Sequence, residues 1–220
     1  MFLDSFWRRL FGFAIDPQAA DAQGLVAIGG DLSPRSLLKA YRSGVFPWFD
    51  EDDPIMWWSP DPRAIFELDG LHISRRLART IRSGKFTTTV NCDFAGVIRG
   101  CADRAEGTWI TPSMIAAYET LHRLGHAHSV EAWHDGALAG GVYGVAINGF
   151  FAGESMFTAV RDGSKVALAA LVERLRQRGF SLFDIQFRTE HTTALGAVEI
   201  RRAAYLKRLA RALASDVTFA

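Results

Sequence analysis

The sequence predicts an α+β fold, with helices packed on a mostly antiparallel sheet and a small N-terminal domain ahead of it. Three observations predict this. "HSVEAWH", "LAGGVYGVAI" and "FFAGESMF" are apolar runs separated by Asp135-Gly136 and Asn148-Gly149, the turn pairs of a three-strand antiparallel meander. Around them stand segments that open on a capping residue and close on glycine, as helices do. One such helix and a further apolar strand follow the meander, so helices and strands are interleaved around one core.

The elements can be justified in chain order. In "GLVAIGGDLSPRSLLKAYRSGVFPWFDEDDPIMWWS" (24–59), Ser33 caps a helix with Pro34 at its first position, running through Leu37, Leu38 and Tyr41 to Gly44. A Trp-rich, Pro-punctuated stretch with an acidic loop at 50–53 follows, and residues 1–62 are taken as the small domain. Residues 63–220 form the second domain. "RAIFEL" (63–68) reads as a strand, and Ser74 caps a helix over 75–83. That helix carries Arg75, Arg79 and Arg82 on one face, with Leu77 and Ile81 nearly opposite. "KFTTTVN" (85–91) is a strand by its Thr and Val content. Asp93 caps a short helix ending near Cys101, and Thr111-Pro112 opens the next, which Gly125 ends. After the meander, Asp162 or Ser164 starts "SKVALAALVERLRQR", which Gly179 closes. "FSLFDIQFRT" (180–189) is then a strand, and a basic helix covers about 202–213.

Composition narrows the class. With 49% hydrophobic residues in 220 the chain can bury a sizeable core, and its two cysteines, Cys92 and Cys101, make neither a disulfide framework nor a four-ligand zinc site. Arg8 and Arg9 interrupt the apolar N-terminus, and the longest uncharged run, residues 136–153, holds six glycines and an Asn-Gly pair. No membrane partner and a cytoplasmic location are therefore expected. The net charge of +1 hides two basic patches free of acids: Arg75, Arg76, Arg79, Arg82 and Lys85 within 70–92, and Arg201, Arg202, Lys207, Arg208 and Arg211 within 200–214. A solvated helix face explains each; so does contact with a polyanion.

Several motifs are excluded by their spacing. "GLVAIGGDL" is neither a dinucleotide fingerprint nor a phosphate-binding P-loop, and "GESMF" lacks the second glycine of a nucleophile elbow. His122, His126 and His128 straddle a helix end with no cysteine or acid at ligand spacing, so no metal is expected. Meander, helix and further strand match the acyltransferase fold of acetyl-CoA-dependent N-acetyltransferases, yet "TAVRDGSKVAL" is not the turn that cradles the CoA pyrophosphate; if the fold is shared, the acyl donor differs. Trp48, Trp57, Trp58 and Trp109 fall in loop-like stretches, where packing and stacking on a nucleotide base are both open. Alternation puts Phe183, Ile185 and Phe187 on one face of the last long strand and Leu182, Asp184 and Gln186 on the other; solvent exposure and a reaction site both account for the polar pair.

The blocks "GGDLSPRSLLKAYRSGVFPWF", "WWSPDPRAIF", "EGTWITPSMIAAY", "LGHAHSVEAW", "GGVYGVAINGFFAGESMF", "SKVAL" and "DIQFRTEHTTALGA", in this order over about residues 24–206, resemble the bacterial leucyl/phenylalanyl-tRNA–protein transferases. The resemblance implies an acetyltransferase-like (GNAT-like) C-terminal domain and transfer of Leu or Phe, sometimes Met, from aminoacyl-tRNA to an N-terminal Arg or Lys, marking the acceptor protein for N-end-rule degradation. No cofactor is implied. By matching position, Asp184 and Gln186 are the implied catalytic pair, and Trp48 and Trp109 the tryptophans near the 3′-adenosine. Tyr41 and Glu154 are further site positions, and Val142, Phe151, Leu168 and Leu171 form the apolar side-chain pocket. Arg75, Arg79 and Arg82 face the acceptor stem. Val142 stands where some members carry Met, and Leu171 where a Phe can occur, so the pocket differs in size or shape. "IRR" replaces the frequent "IPR" near the end.

Overall fold

A computed structural model describes residues 15–103 and 107–220; the interrupted apolar run at residues 1–13 lies outside them. Two sheets organise the described chain. The smaller has the order β1–β3–β2, from β1 (Leu25–Ile28), β2 (Phe46–Pro47) and β3 (Met56–Trp58), all antiparallel. Helix α1 (Pro34–Arg42) joins the first two strands. The Ser33 hydroxyl accepts from Ser36 N–H at its start, and Gly44, at φ 78°, supplies the left-handed turn after its end.

The larger sheet has seven strands: β4 (Arg63–Phe66), β5 (Thr87–Val90), β6 (Ala127–His134), β7 (Ala137–Ile147), β8 (Phe150–Thr158), β9 (Leu182–Gln186) and β10 (Val198–Ile200), in the order β10–β4–β9–β8–β7–β6–β5. The meander is β6–β7–β8 as expected, with Asp135, Gly136 and Asn148 at positive φ in its turns. Every neighbouring pair is antiparallel except β8–β9, which run parallel (Phe151 opposite Phe183, Ala152 opposite Asp184). The crossover is α5 (Gly163–Gln177), as a parallel connection requires. Strand β4 pairs with β9 on the other side.

Helices cover both faces of the sheet, and the fold is the α+β class predicted. On one side α3 (Phe94–Ala102), α4 (Pro112–Arg123) and α7 (Arg202–Leu213) share a core with Leu37, Tyr41 and Trp57 of the N-terminal segment. On the other, α5 and α2 (Arg75–Arg82) cover Phe66, Val142, Phe151 and Phe183. Burying Leu168, Leu171, Val172 and Leu175 of α5 contributes roughly 1.5–3 kcal/mol per side chain. Two glycines set where α5 begins: a Cβ on Gly140 would lie 2.5 Å from the Gly163 carbonyl carbon, so β7 and the start of α5 meet backbone to backbone. The expected cap is absent there. Asp162 precedes α5 at φ 76°, makes no capping bond, and pairs with Arg76 of α2 at 3.0 Å. The short α6 (Glu190–Ala194), which Thr189 caps by accepting from Thr192 N–H, and β10 are additions to the expected elements.

Candidate active site

The parallel pair β8–β9 frames a cleft of about 800 Å³. Its apolar wall includes Phe66, Val142, Met156, Leu168 and Phe183; its polar end is Glu154 and Gln186; Trp109 and Phe187 line its mouth. The predicted pocket residues thus divide by depth. Val142 and Leu168 line the cleft, whereas Phe151 and Leu171 are buried one layer behind them, Phe151 edge-on to Phe183 at 5.6 Å.

At the polar end, the Gln186 amide nitrogen donates to Glu154 Oε1 at 3.3 Å, and the Tyr118 hydroxyl donates to Glu154 Oε2 at 3.2 Å. The Tyr41 and Tyr118 hydroxyls are hydrogen-bonded to each other, and both residues are buried behind Glu154. Tyr41 therefore does not line the cleft. Burial pushes the Glu154 carboxyl up to about 8, with the Asp184 charge adding to the rise against hydrogen bonds from the tyrosines. With its nitrogen on Glu154, the Gln186 side chain keeps its carbonyl oxygen as an acceptor at the cleft.

Asp184 is 0% exposed, so solvent does not explain the polar face of β9. Its carboxylate does not reach the Gln186 amide. It takes a forked pair of bonds from Arg63, at 2.8 Å to Oδ1 and 2.7 Å to Oδ2, with the Tyr205 hydroxyl on Oδ2 at 2.9 Å and the Gln186 backbone N–H on Oδ1 at 3.0 Å. Arg63, 1% exposed, also lies over the rings of Phe46 (4.7 Å) and Tyr205 (4.5 Å). Burial opposes its charge most strongly, but the Asp184 charge and hydrogen bonds, with Tyr205 and Glu154, together outweigh it and hold the guanidinium protonated. Sequence reasoning does not single out Arg63, Tyr118 or Tyr205. The signal available was a charged residue at the head of an apolar strand, where only a paired charge is tolerated.

The tryptophans separate. Trp57 is fully buried, with its indole N–H on the Gly29 carbonyl at 2.8 Å, and Trp57 and Trp58 both belong to β3 rather than to a loop. Trp48 is 41% exposed, 5.4 Å from Phe187 and 6.0 Å from Trp58, and Trp58 donates to its carbonyl at 2.7 Å. Phe187 leaves the face that alternation assigned it because Gln186 adopts φ 59°, which turns the chain out of the strand. The result is an exposed aromatic shelf, Trp48 and Phe187, beside the polar end of the cleft.

The basic patches separate too. Arg75, Arg79 and Arg82 are exposed on α2 and form no ion pair among the described residues. In the second patch Arg202 donates to the Ser59 carbonyl at 2.6 Å and Arg208 pairs with Glu67 at 2.6 Å, so part of it holds the fold together. Cys92 is exposed and Cys101 buried, and no disulfide joins them. Among the described residues no group of three His, Cys, Asp or Glu could hold a metal ion, and no helix is long and apolar enough to cross a membrane.

An apolar cleft closed by an amide–carboxyl pair, with an aromatic shelf at its rim, has the chemistry an acyltransferase needs: room for an apolar group beside a carboxyl that can exchange a proton. Comparison with known proteins places it further. Residues 65–210 match the family described as leucyl/phenylalanyl-tRNA protein transferase, and residues 30–61 match that family's N-terminal domain; the chain belongs to this family. It is 55% identical over 197 residues to the leucyl/phenylalanyl-tRNA–protein transferase of Solidesulfovibrio magneticus, covering 88% of this chain and 80% of that one. It is also 55% identical over 202 residues to that of Anaeromyxobacter sp. (strain Fw109-5), covering 90% and 86%. Among solved structures, a ribosomal-protein-alanine N-acetyltransferase from Brucella melitensis biovar Abortus 2308 overlaps 48% of this chain and 81% of its own at 18% identity, with a TM-score of 0.35.

Proposed function

We propose that this protein transfers Leu or Phe, and sometimes Met, from aminoacyl-tRNA to the N-terminal Arg or Lys of acceptor proteins in the cytoplasm, marking them for N-end-rule degradation. The observation that carries the reading is the cleft: an apolar wall of Val142 and Leu168 leads to Gln186 and Glu154, and the Trp48–Phe187 shelf and Trp109 stand at its rim. The acyl side chain occupies the wall, and the 3′-terminal adenine stacks on the rim aromatics. Arg75, Arg79 and Arg82 on α2 meet acceptor-stem phosphates. Residues 1–62 act as a small domain that supplies Trp48.

The chemistry needs positioning more than strong acid–base power, because the aminoacyl ester is already activated. The acceptor nitrogen attacks the ester carbonyl, the N–C bond forms and the bond to the ribose oxygen breaks. The Gln186 carbonyl accepts a hydrogen bond from the attacking N–H. Glu154 takes the proton that the nitrogen sheds and returns one to the departing ribose oxygen; a carboxyl near 8 serves both steps close to neutral pH. As a carboxylate it also attracts the cationic acceptor residue. Incubation with labelled Phe-tRNA and Leu-tRNA and peptides beginning with Arg, Lys, Asp or Ala tests the proposal. Label is expected on the Arg and Lys peptides; an unlabelled Arg peptide overturns it.

A further inference from the structure

The Asp184 carboxylate is saturated. Oδ1 accepts from Arg63 Nε and from the Gln186 backbone N–H; Oδ2 accepts from Arg63 Nη2 and from the Tyr205 hydroxyl. A carboxylate has about four lone-pair sites, so none remains for the Gln186 side chain or for a proton in transit. The cluster also ties distant parts of the chain together: β4 gives Arg63, β9 gives Asp184, α7 gives Tyr205, and Arg63 Nη1 donates to the Gly44 carbonyl after α1 at 3.0 Å.

What it controls is the conformation of Gln186. The β4–β9 register shifts between Ala64, opposite Gln186, and Ile65, opposite Asp184, so one residue of β9 is extra at that point. Gln186 follows at φ 59°, a left-handed conformation that a side chain adopts only when its surroundings require it. The bond from its N–H to Asp184 Oδ1 spans Ile185, the extra residue, and fixes the peptide plane that leads into Gln186, while Arg63 and Tyr205 fix the carboxylate that accepts it. In that conformation the Gln186 amide reaches Glu154 and Phe187 turns out onto the aromatic shelf.

We propose that Arg63 and Tyr205 are positioning residues of the transfer site, which act through Asp184 to hold Gln186 in its left-handed conformation, and that Asp184 exchanges no proton during the reaction. This rests on the reading that Gln186 meets the attacking amine. Fixing the amide matters because misplacing a catalytic group by about 1 Å can cost roughly 100-fold in rate.

The test is a double-mutant cycle on single-turnover transfer of Phe from saturating Phe-tRNA to an Arg-starting peptide. Tyr205→Phe removes one bond to Asp184 and keeps the ring under the guanidinium; Arg63→Lys keeps the charge and loses the fork. Each is expected to slow transfer about 10- to 100-fold, Arg63→Lys more, with tRNA affinity unchanged and the apparent pKa values of the rate profile unmoved. In a Gln186→Ala background neither is expected to slow transfer further, since the residue they act through is gone. Full activity in both single variants, or losses that multiply with that of Gln186→Ala, overturns the proposal, as does a shifted pH profile. The underlying reading fails differently: the unsubstituted enzyme does not transfer Phe, or Gln186→Ala costs nothing.

Discussion

Glu154→Gln should make the protein more stable and less active, and the gain in stability should grow with pH. The folded chain releases the Glu154 proton at about 8 against an ordinary value of 4.5, because the carboxyl is buried beside Tyr41, Tyr118 and the Asp184 charge. Between those values the folded state holds a proton that the unfolded chain has shed, so stability falls as pH rises. The cost is absent below about pH 4.5, accumulates through the window and is complete above about pH 8. Each unit corresponds to ~1.4 kcal/mol, and from pH 5 to 7.5 the ceiling is ~3.4 kcal/mol. Glu154 lines an open cleft, and water there reduces this to about 1.5–3 kcal/mol. The amide of the variant has the carboxyl's shape and keeps one acceptor oxygen; its NH2 only donates, so one of the two groups that now donate to Glu154, the Gln186 amide or the Tyr118 hydroxyl, must turn to accept from it. Thermal unfolding of both proteins at pH 5 and 7.5 is the assay. The gap in Tm should widen by roughly 4–10 °C at the higher pH. Parallel pH dependences would refute the reasoning.

Four further outcomes follow from the same geometry. The rate of transfer at low acceptor concentration should rise with pH more steeply in the unsubstituted enzyme, where both the acceptor amine and Glu154 must lose a proton, than in Glu154→Gln, where only the amine titrates at about 7.7–8; equal slopes in the pH–rate profiles would remove Glu154 from proton transfer. Arg75→Ala with Arg79→Ala should weaken tRNA binding and lower the slope of log affinity against log salt by roughly 0.9 for each duplex phosphate no longer neutralised, read by titration from low to moderate salt. Trp48→Ala should weaken binding of aminoacyl-tRNA by about 1–3 kcal/mol with little change in Tm, whereas Trp57→Ala, in the core, should cost about 3–5 kcal/mol of stability. Leu168→Phe narrows the cleft and should shift the ratio of Leu to Phe transfer about 10- to 200-fold toward Leu, whereas Leu171→Val, a layer deeper, should leave the ratio nearly unchanged.

Local chemistry made much of the fold legible. Asp135-Gly136 specifies its turn through positive φ at both residues and Asn148-Gly149 through positive φ at Asn148, and Ser33, Ser74, Asp93 and Thr111 each accept the expected N–H at a helix start. The parallel partnership of β8 with β9 was not legible, since it depends on α5 carrying the chain across the sheet and on the close approach of Gly140 to Gly163. The site shows the same division. Resemblance picked out Asp184 and Gln186, and alternation put them on one face, but one residue is sealed in the core and the other opens on the cleft. Arg63 and Tyr205 lie 121 and 21 positions from Asp184, a separation no local pattern bridges. Alternation assigns Phe187 to the wrong face because it presumes extended backbone throughout, and Gln186 breaks that premise at φ 59°.

Single-turnover transfer by Gln186→Ala tests the central claim most directly. With Phe-tRNA bound to saturation and an Arg-starting peptide in excess, the variant should bind tRNA as tightly as the unsubstituted enzyme and form the Phe–Arg product roughly 100-fold or more slower. An unchanged rate of product formation would contradict the account and place the chemistry outside the Gln186–Glu154 pair.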